Sequence, residues 1–250
     1  MQPDHIKFKW LAADWPAPEN IHAGCTTRGG GTSRFAYDSL NLAAHVGDDE
    51  RNVLHNRRFL IDRLNLPAEP VWLEQKHGCR IINPVDAIKE RQADGMYTDC
   101  VGHVCVVLTA DCLPLLICDR SGQEIAAIHI GWRGYAKNIV ATATKTFRQH
   151  PRNLLAWIGP CISARHYEVG REVRDACVVI NKESSSAFSP SRKDHWFADI
   201  QLLVRLQLRA CGLENISGGE FCTFTDKELF YSFRRDGVTG RMASLIWMDS

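Results

Sequence analysis

The sequence predicts an α/β chain of the α+β kind, a layered sandwich of mixed β-sheets covered by helices. Three observations carry this. Val104 to Leu108 and Leu113 to Cys118 are near-continuous apolar runs, the pattern of strands covered on both faces. Three stretches after Gly134 place apolar residues at helical spacing. Strands and helices are interspersed without the regular alternation of a doubly wound fold. With 250 residues, 45% of them apolar, the chain suits one large domain over 1–250 with a substantial core.

Taken in order, Ile21 to Arg28 reads as a strand and Gly29-Gly30-Gly31 as the loop after it. That triplet fits neither a dinucleotide fingerprint nor a P-loop. Asp48-Asp49-Glu50 opens a helix to about Leu64, with Val53, Leu60, Ile61 and Leu64 on its apolar side and Asn65 or Pro67 as its stop. The early acidic residues suit the positive end of the helix dipole. Pro70 to Leu73 is a short apolar run, with His77 beyond its end. Asp119 to Gly122 is a turn and Glu124 to Ile130 a second strand, so this stretch pairs with Leu113 to Cys118 as a hairpin. Helical spacing follows over Tyr135 to Gln149, Gly170 to Ile180 and Asp199 to Cys211, with Gly212 as a C-cap. Glu183 to Asp194 is polar and reads as a surface loop. Thr225 with Glu228 forms a capping box for a short helical turn, and Arg241 to Met248 reads as a final strand. Trp10, Trp72, Trp157 and Trp247 read as core.

A formal charge of +1 with dispersed Lys and Arg leaves no nucleic-acid footprint. No apolar run is long enough to span a bilayer. The start, Met1-Gln2-Pro3-Asp4-His5, lacks the basic-then-apolar order of a secretory signal. Ten cysteines contain no C-x-x-C pair, and several lie inside apolar runs where a thiol acts as a small hydrophobe. This reads as a reducing cytoplasm with one functional cysteine, not as a disulfide scaffold.

Three islands carry the chemistry: Gln75 to Gly78, Thr109 to Pro114, and His129 to Gly134. Each places one metal-competent side chain (His77, Cys112, His129) where a strand stops or breaks, so that it can project into a cavity. Pro114 removes a ladder donor and hints at a bulge or an edge. Two imidazoles and a thiolate make a three-ligand set for zinc with a fourth position open, the arrangement of a catalytic rather than a structural site. The same residues admit Cys112 as a nucleophile with His77 or His129 as its base, helped by the helix after Gly134. Arg133, just before that helix, is a candidate phosphate holder. Arg28 and Asn41, flanking the glycine loop, are candidate substrate contacts. Arg234-Arg235-Asp236 reads as a basic pocket wall or a solvated turn.

Ordered motifs extend over nearly the whole chain: Gly31-Thr32-Ser33, Ser39 to Leu42, His45 to Asp49, Asn56-Arg57, Ala93-Asp94-Gly95, Ile158 to Cys161, Tyr167 to Gly170, Cys222-Thr223, and Phe233 to Arg235 with Gly240-Arg241, besides the three islands. Together they resemble the YfiH/YlmD family, described first as polyphenol oxidoreductases (laccases) and later as purine nucleoside phosphorylases with adenosine deaminase activity. The resemblance implies a fold shared with the toxin-type cysteine hydrolases. It implies zinc ligands at His77, Cys112 and His129, and a purine nucleoside and phosphate as substrates. Lys76 stands where that family usually has valine, and Ile130 where it usually has alanine.

The leading expectation is therefore a zinc enzyme of purine nucleosides. The other zinc-deaminase signature is missing, since Pro160-Cys161 lacks the following second cysteine. A multicopper oxidase is a rival, but ten histidines with no His-x-His pair do not build a copper cluster. Copper nonetheless outranks zinc for such donors, so Cu²⁺ loading in vitro and weak phenol oxidation are expected. A thiol hydrolase or amidase of a peptidoglycan precursor, and a non-catalytic metal-binding module, are the remaining alternatives.

Overall fold

The computed structural model describes residues 7–249; the N-terminal stretch Met1 to His5, read above for a signal, lies outside them. In chain order the elements are β1 (Trp10–Ala12), β2 (Ile21–Thr26), α1 (Glu50–Leu64), β3 (Ile81–Ile82), β4 (Gly95–Thr98), β5 (Val104–Thr109), β6 (Leu113–Asp119) and β7 (Ile125–Ile130). The second half adds α2 (Trp132–Ala136), α3 (Ile139–Thr146), β8 (Leu154–Ile158), β9 (Glu168–Gly170), α4 (Arg171–Ile180), β10 (Phe188–Pro190) and β11 (His195–Ala198). It closes with α5 (Ile200–Ala210), β12 (Asn215–Gly218), α6 (Phe233–Asp236) and β13 (Met242–Met248).

One sheet runs β1-β2-β13-β5, antiparallel throughout. The other runs β12-β8-β6-β7-β4-β3, antiparallel in its middle and parallel at both edges. A small antiparallel sheet, β10-β11-β9, lies apart. Side-chain alternation along the strands assigns the layers. Cys105 and Val107 of β5 share a buried cluster with Leu116 and Cys118 of β6, which is the interface between the two large sheets. Val104, Val106 and Leu108 point the other way, against Leu60 of α1. Leu113, Leu115 and Ile117 of β6 pack on Ile139, Val140 and Leu203 of the second helical layer. The result is helix, sheet, sheet, helices. The central strands β5, β6, β7, β8 and β13 are buried on both faces, so neither β5 nor β6 alternates with polar residues. Full burial of each such side chain contributes about 1.5–3 kcal/mol.

The expected helix around Glu50 forms, capped by the Asp49 carboxylate, which accepts from the Arg51 amide, and stopped by Asn65 in a left-handed conformation. Its apolar side is narrower than expected: Val53 and Leu60 are buried, Ile61 and Leu64 only half-buried, and Asn56 is buried instead. The expected hairpin pairs Pro114 with His129 and Cys118 with Ile125. Several expectations are corrected. The helix expected over Tyr135 to Gln149 starts earlier, at Trp132, breaks at Asn138 (φ 65°), and ends at Thr146. Glu183 to Asp194 is not all loop: a 3-10 turn over Lys182–Ala187 buries Ser184 and Ala187, and β10 follows. Thr225 caps no helix; its hydroxyl turns back to the Cys222 carbonyl. Pro70 to Leu73 is irregular backbone although Trp72 and Leu73 are buried. Pro114 sits in a central strand, not at an edge. The strand tolerates it because pairing with β8 begins at Leu115, and the Pro114 carbonyl still accepts from Gly159.

Candidate metal centre

Asp94, at the entrance to β4, organises the site. It is 1% exposed, and its two carboxylate oxygens accept the backbone amides of Lys76 (3.1 Å), His77 (2.8 Å) and Gly78 (2.6 Å). Those three successive donors curl the irregular chain ahead of β3 into a tight turn. His77 takes φ 55° there, a left-handed conformation costly for a side chain with a Cβ. Gln75 fastens the same turn to the end of β5, donating to the Leu108 carbonyl (2.8 Å) and accepting its amide (2.7 Å).

Cys112 lies in the connection between β5 and β6. Asp111 before it is held at φ 90°, because its carboxylate accepts the Thr223 hydroxyl and the Arg234 amide, both at 2.6 Å. His129 comes from β7. Its Nδ1 lies 2.8 Å from Oδ1 of Asp94, and its amide donates to the Asp94 carbonyl at 2.7 Å. A protonated Nδ1 facing a carboxylate leaves Nε2 as the free donor atom, directed to the other side of the ring.

The three donor groups converge. The ligand atoms of His77, Cys112 and His129 all lie within 4.8 Å of one another, with Cys112 Sγ 3.8 Å from His77 Nε2. Burial works against a charged Cys112, but the adjoining imidazoles, His129 above all, outweigh it and bring the thiol down to about 6. Burial likewise opposes charge on His129, and Cys112 and Asp94 together push it up to about 9. The thiol is thus poised to be a thiolate at neutral pH, the form that binds metal. Gly131 makes room for the cluster: a Cβ there would stand 2.7 Å from a His77 ring carbon and 3.1 Å from Cys112 Sγ. Two imidazole nitrogens, one thiolate, a carboxylate that orients one imidazole and a glycine that clears the space form a donor set fitted to zinc or copper.

The cluster opens into a cavity of about 220 Å³, whose wall also includes His45, Gln75, Phe233 and Arg241. The structure brings together the three side chains that the sequence singled out, and it adds these four, which the sequence did not single out as a group. They come from three stretches of chain, around His45, Gln75 and residues 233–241, and only the fold makes these neighbours. Arg28, Asn41 and Arg133 do not line the cavity. Arg28 donates to the carbonyls of Asp38 and Lys227 and lies over the Tyr231 ring. Asn41 is fully buried and fastens Ala43, Asp48 and the Arg241 amide. Arg133 is exposed in the first turn of α2, stacked on Trp132. Arg235 is neither pocket wall nor solvated: its guanidinium clamps the carbonyls of Thr223, Phe224 and Phe230. Of the two departures noted in the sequence, Lys76 is exposed, and Ile130 packs toward the helices.

Layered sheets around a three-donor, metal-competent pocket define the class of protein. Residues 22–249 match the family described as multi-copper polyphenol oxidoreductase laccase. The purine nucleoside phosphorylase YfiH of Escherichia coli (strain K12) is 45% identical over 241 residues, which is 96% of this chain and 99% of that one. A purine nucleoside phosphorylase of Pseudomonas aeruginosa is 47% identical over 241 residues, 96% of this chain and 98% of that one. A crystal structure of a Neisseria meningitidis protein superposes with a TM-score of 0.93 at 42% identity, covering 96% of this chain and 99% of that one. YlmD from Geobacillus stearothermophilus superposes with a TM-score of 0.90 at 32% identity, covering 100% and 98%. The chain belongs to this family, the YfiH/YlmD family.

Proposed function

We propose that this protein is a zinc enzyme of purine nucleosides, cleaving adenosine, inosine or methylthioadenosine with phosphate and converting adenosine to inosine. The observation that carries the reading is the convergence of His77, Cys112 and His129 on the wall of a cavity that admits a small molecule. The names of the Escherichia coli and Pseudomonas relatives support the phosphorolytic half.

His77, Cys112 and His129 would hold the ion. When bound, zinc supplies Lewis acidity and makes water nucleophilic near neutral pH. The remaining work belongs to the chain. Asp94 keeps the His129 ring in one tautomer and one orientation. Phe233, on the cavity wall, offers an aromatic face to a purine. In phosphorolysis a phosphate oxygen bonds to C1′ of the ribose as the bond from C1′ to the base nitrogen breaks. That electron pair leaves on the base, which gains the proton that phosphate loses. In deamination water adds at C6 and ammonia departs, so one water is consumed for each ammonia released.

The paired Cys112 and His129 support a second reading, a thiol hydrolase. One experiment separates the two. Metal-analysed protein is incubated with adenosine, with and without phosphate and with and without chelator, and products are resolved by chromatography. Phosphate-dependent release of adenine, or phosphate-independent inosine, with loss of either in chelator, supports the zinc reading. No turnover of any nucleoside by fully zinc-loaded protein overturns it. For a phenol oxidase of the several-copper kind, the obstacle is the number of donors: among the described residues the His77, Cys112 and His129 cluster is the one such group.

A further inference from the structure

We infer that Arg241, with His45 beside it, forms the subsite for the phosphate co-substrate, on the cavity wall next to the metal donors. This rests on the phosphorolytic reading above and names a residue for it. Both side chains line the same cavity as His77, Cys112 and His129. Arg241 immediately precedes β13, whose first residue, Met242, pairs with Thr109 at the end of β5. Its backbone is fixed there, since the Arg241 amide donates to Oδ1 of Asn41 at 3.0 Å, and Asn41 is itself wholly buried. Its guanidinium lies over the Phe233 ring, 5.8 Å from the ring centre, and is hydrogen-bonded through one nitrogen only. Nη1 donates to the carbonyls of Thr239 (2.8 Å) and Gly240 (2.9 Å), and no other nitrogen of the group is engaged by the described residues.

A guanidinium carries five donors, so several remain to face the cavity. No carboxylate pairs with Arg241 among the described residues, whereas Arg51, Arg80, Arg148, Arg171, Arg192 and Arg235 each have one. A half-buried, unpaired guanidinium costs solvation, and burial draws its proton affinity down accordingly. A bound anion offsets that cost. His45 faces the same positive surroundings, with burial first, then Arg241, Lys76 and Arg57, lowering its proton affinity. On the cavity wall itself Arg241 is the fixed cation and His45 the neighbouring imidazole, with Cys112 and Asp111 as the anionic groups nearest Arg241. A planar fork matches the paired oxygens of phosphate, and a low-dielectric wall strengthens the contact. The position also suits the reaction: phosphate held by Arg241 lies in the same cavity as any nucleoside bound against the metal donors.

The test uses full-length, metal-loaded protein and inorganic phosphate as probe. Isothermal titration, with phosphate-dependent inosine cleavage alongside, is applied to the native protein, R241Q, R241K, H45Q and R133Q. The expected result is at least a tenfold weaker phosphate affinity in R241Q, a partial loss in R241K, a smaller loss in H45Q, and none in R133Q. The KM for phosphate rises in step while the KM for inosine and the metal content stay as in the native protein. If R241Q disturbs the loop through Thr239 and Gly240, H45Q, an exposed side chain, still reports on the subsite. Phosphate binding unchanged in both R241Q and H45Q overturns the assignment. So does binding of inosine monophosphate that depends on Arg241 while orthophosphate binds nowhere, which would make the group a nucleotide-phosphate holder. Arg241-dependent phosphate binding in a protein that cleaves no nucleoside would leave the subsite standing and overturn the phosphorolytic reading alone.

Discussion

Asp94 Oδ1 lies 2.8 Å from Nδ1 of His129 and accepts the His77 amide at the same distance, so one buried oxygen sets the direction of two metal-competent imidazoles. One is oriented through its ring and the other through its backbone. The carboxylate is worth more than either contact because a single substitution releases both. Burial works against its charge, yet the His129 bond and the amides of Gly78 and Lys76 hold it below the usual carboxylate range.

Replacing Asp94 should therefore act on metal and fold together. D94A is expected to weaken metal affinity about 10- to 100-fold. It should also cost on the order of 2–4 kcal/mol of stability, because buried amides and an imidazole lose their acceptor. Metal titration and denaturant unfolding check the two effects; unchanged zinc affinity would show that the imidazole needs no orienting partner.

H77A, C112A and H129A should each lose bound zinc and nucleoside turnover while circular dichroism stays native-like. His77 and Cys112 sit in connections between strands, so their removal takes little from the core, whereas H129A, which leaves the buried Asp94 without its imidazole partner, should unfold at lower denaturant. Metal analysis on purified protein decides it, and retention of zinc in any two of the three would refute the ligand set.

G131A tests the space around the ion. The added methyl would meet the His77 ring at 2.7 Å and Cys112 Sγ at 3.1 Å, so the donors must move apart. Gly131 has φ −89°, which alanine adopts freely, so the backbone itself is not strained. Zinc content well below native in a folded protein is the expected outcome.

Without metal, the site should titrate as a pair. The folded Cys112 thiol ionises at about 6, below its ordinary value of 9.0, so its contribution to stability is full above 9.0 and lost as pH falls through about 6. The folded His129 holds its proton to about 9, above its ordinary 6.5, so its contribution is full below 6.5 and lost as pH rises through about 9. Both charges coexist between those limits. Thiolate absorbance of the metal-free protein should rise with a midpoint near about 6, and C112A should abolish that step.

Asn56 shows how a polar residue organises the loop that runs from Thr32 to Asn41. Buried on α1, it accepts from the Thr32 amide and donates to Ser33, Ser39 and Asn41. N56A is expected to cost roughly 2–4 kcal/mol, since several buried loop groups lose a partner at once. A stability loss under 1 kcal/mol by urea unfolding would count against this.

Much of the molecule was legible in the chain itself. The unbroken apolar runs at Val104 and Leu113 declared strands covered on both faces, and Asp49 and Asp199 declared helix starts, because those signals are local. His77, Cys112 and His129 were legible because each sits beside glycine or a break in a strand. Arg28, Asn41 and Arg133 were misplaced for the opposite reason: their neighbours suggested exposure near a site, while their hydrogen bonds turn them to structural or surface duties. Nothing local distinguishes Asp94 from other acidic residues, or Arg241 from other strand-end arginines. Chain composition and periodicity determined the layers, through burial and backbone preference acting over a few residues, and the glycine-flanked islands singled out the candidate donors. Only the folded arrangement decided which carboxylate aims His129, which cation stands unpaired in the cavity and how closely the three donors meet, since those depend on packing between segments far apart in sequence.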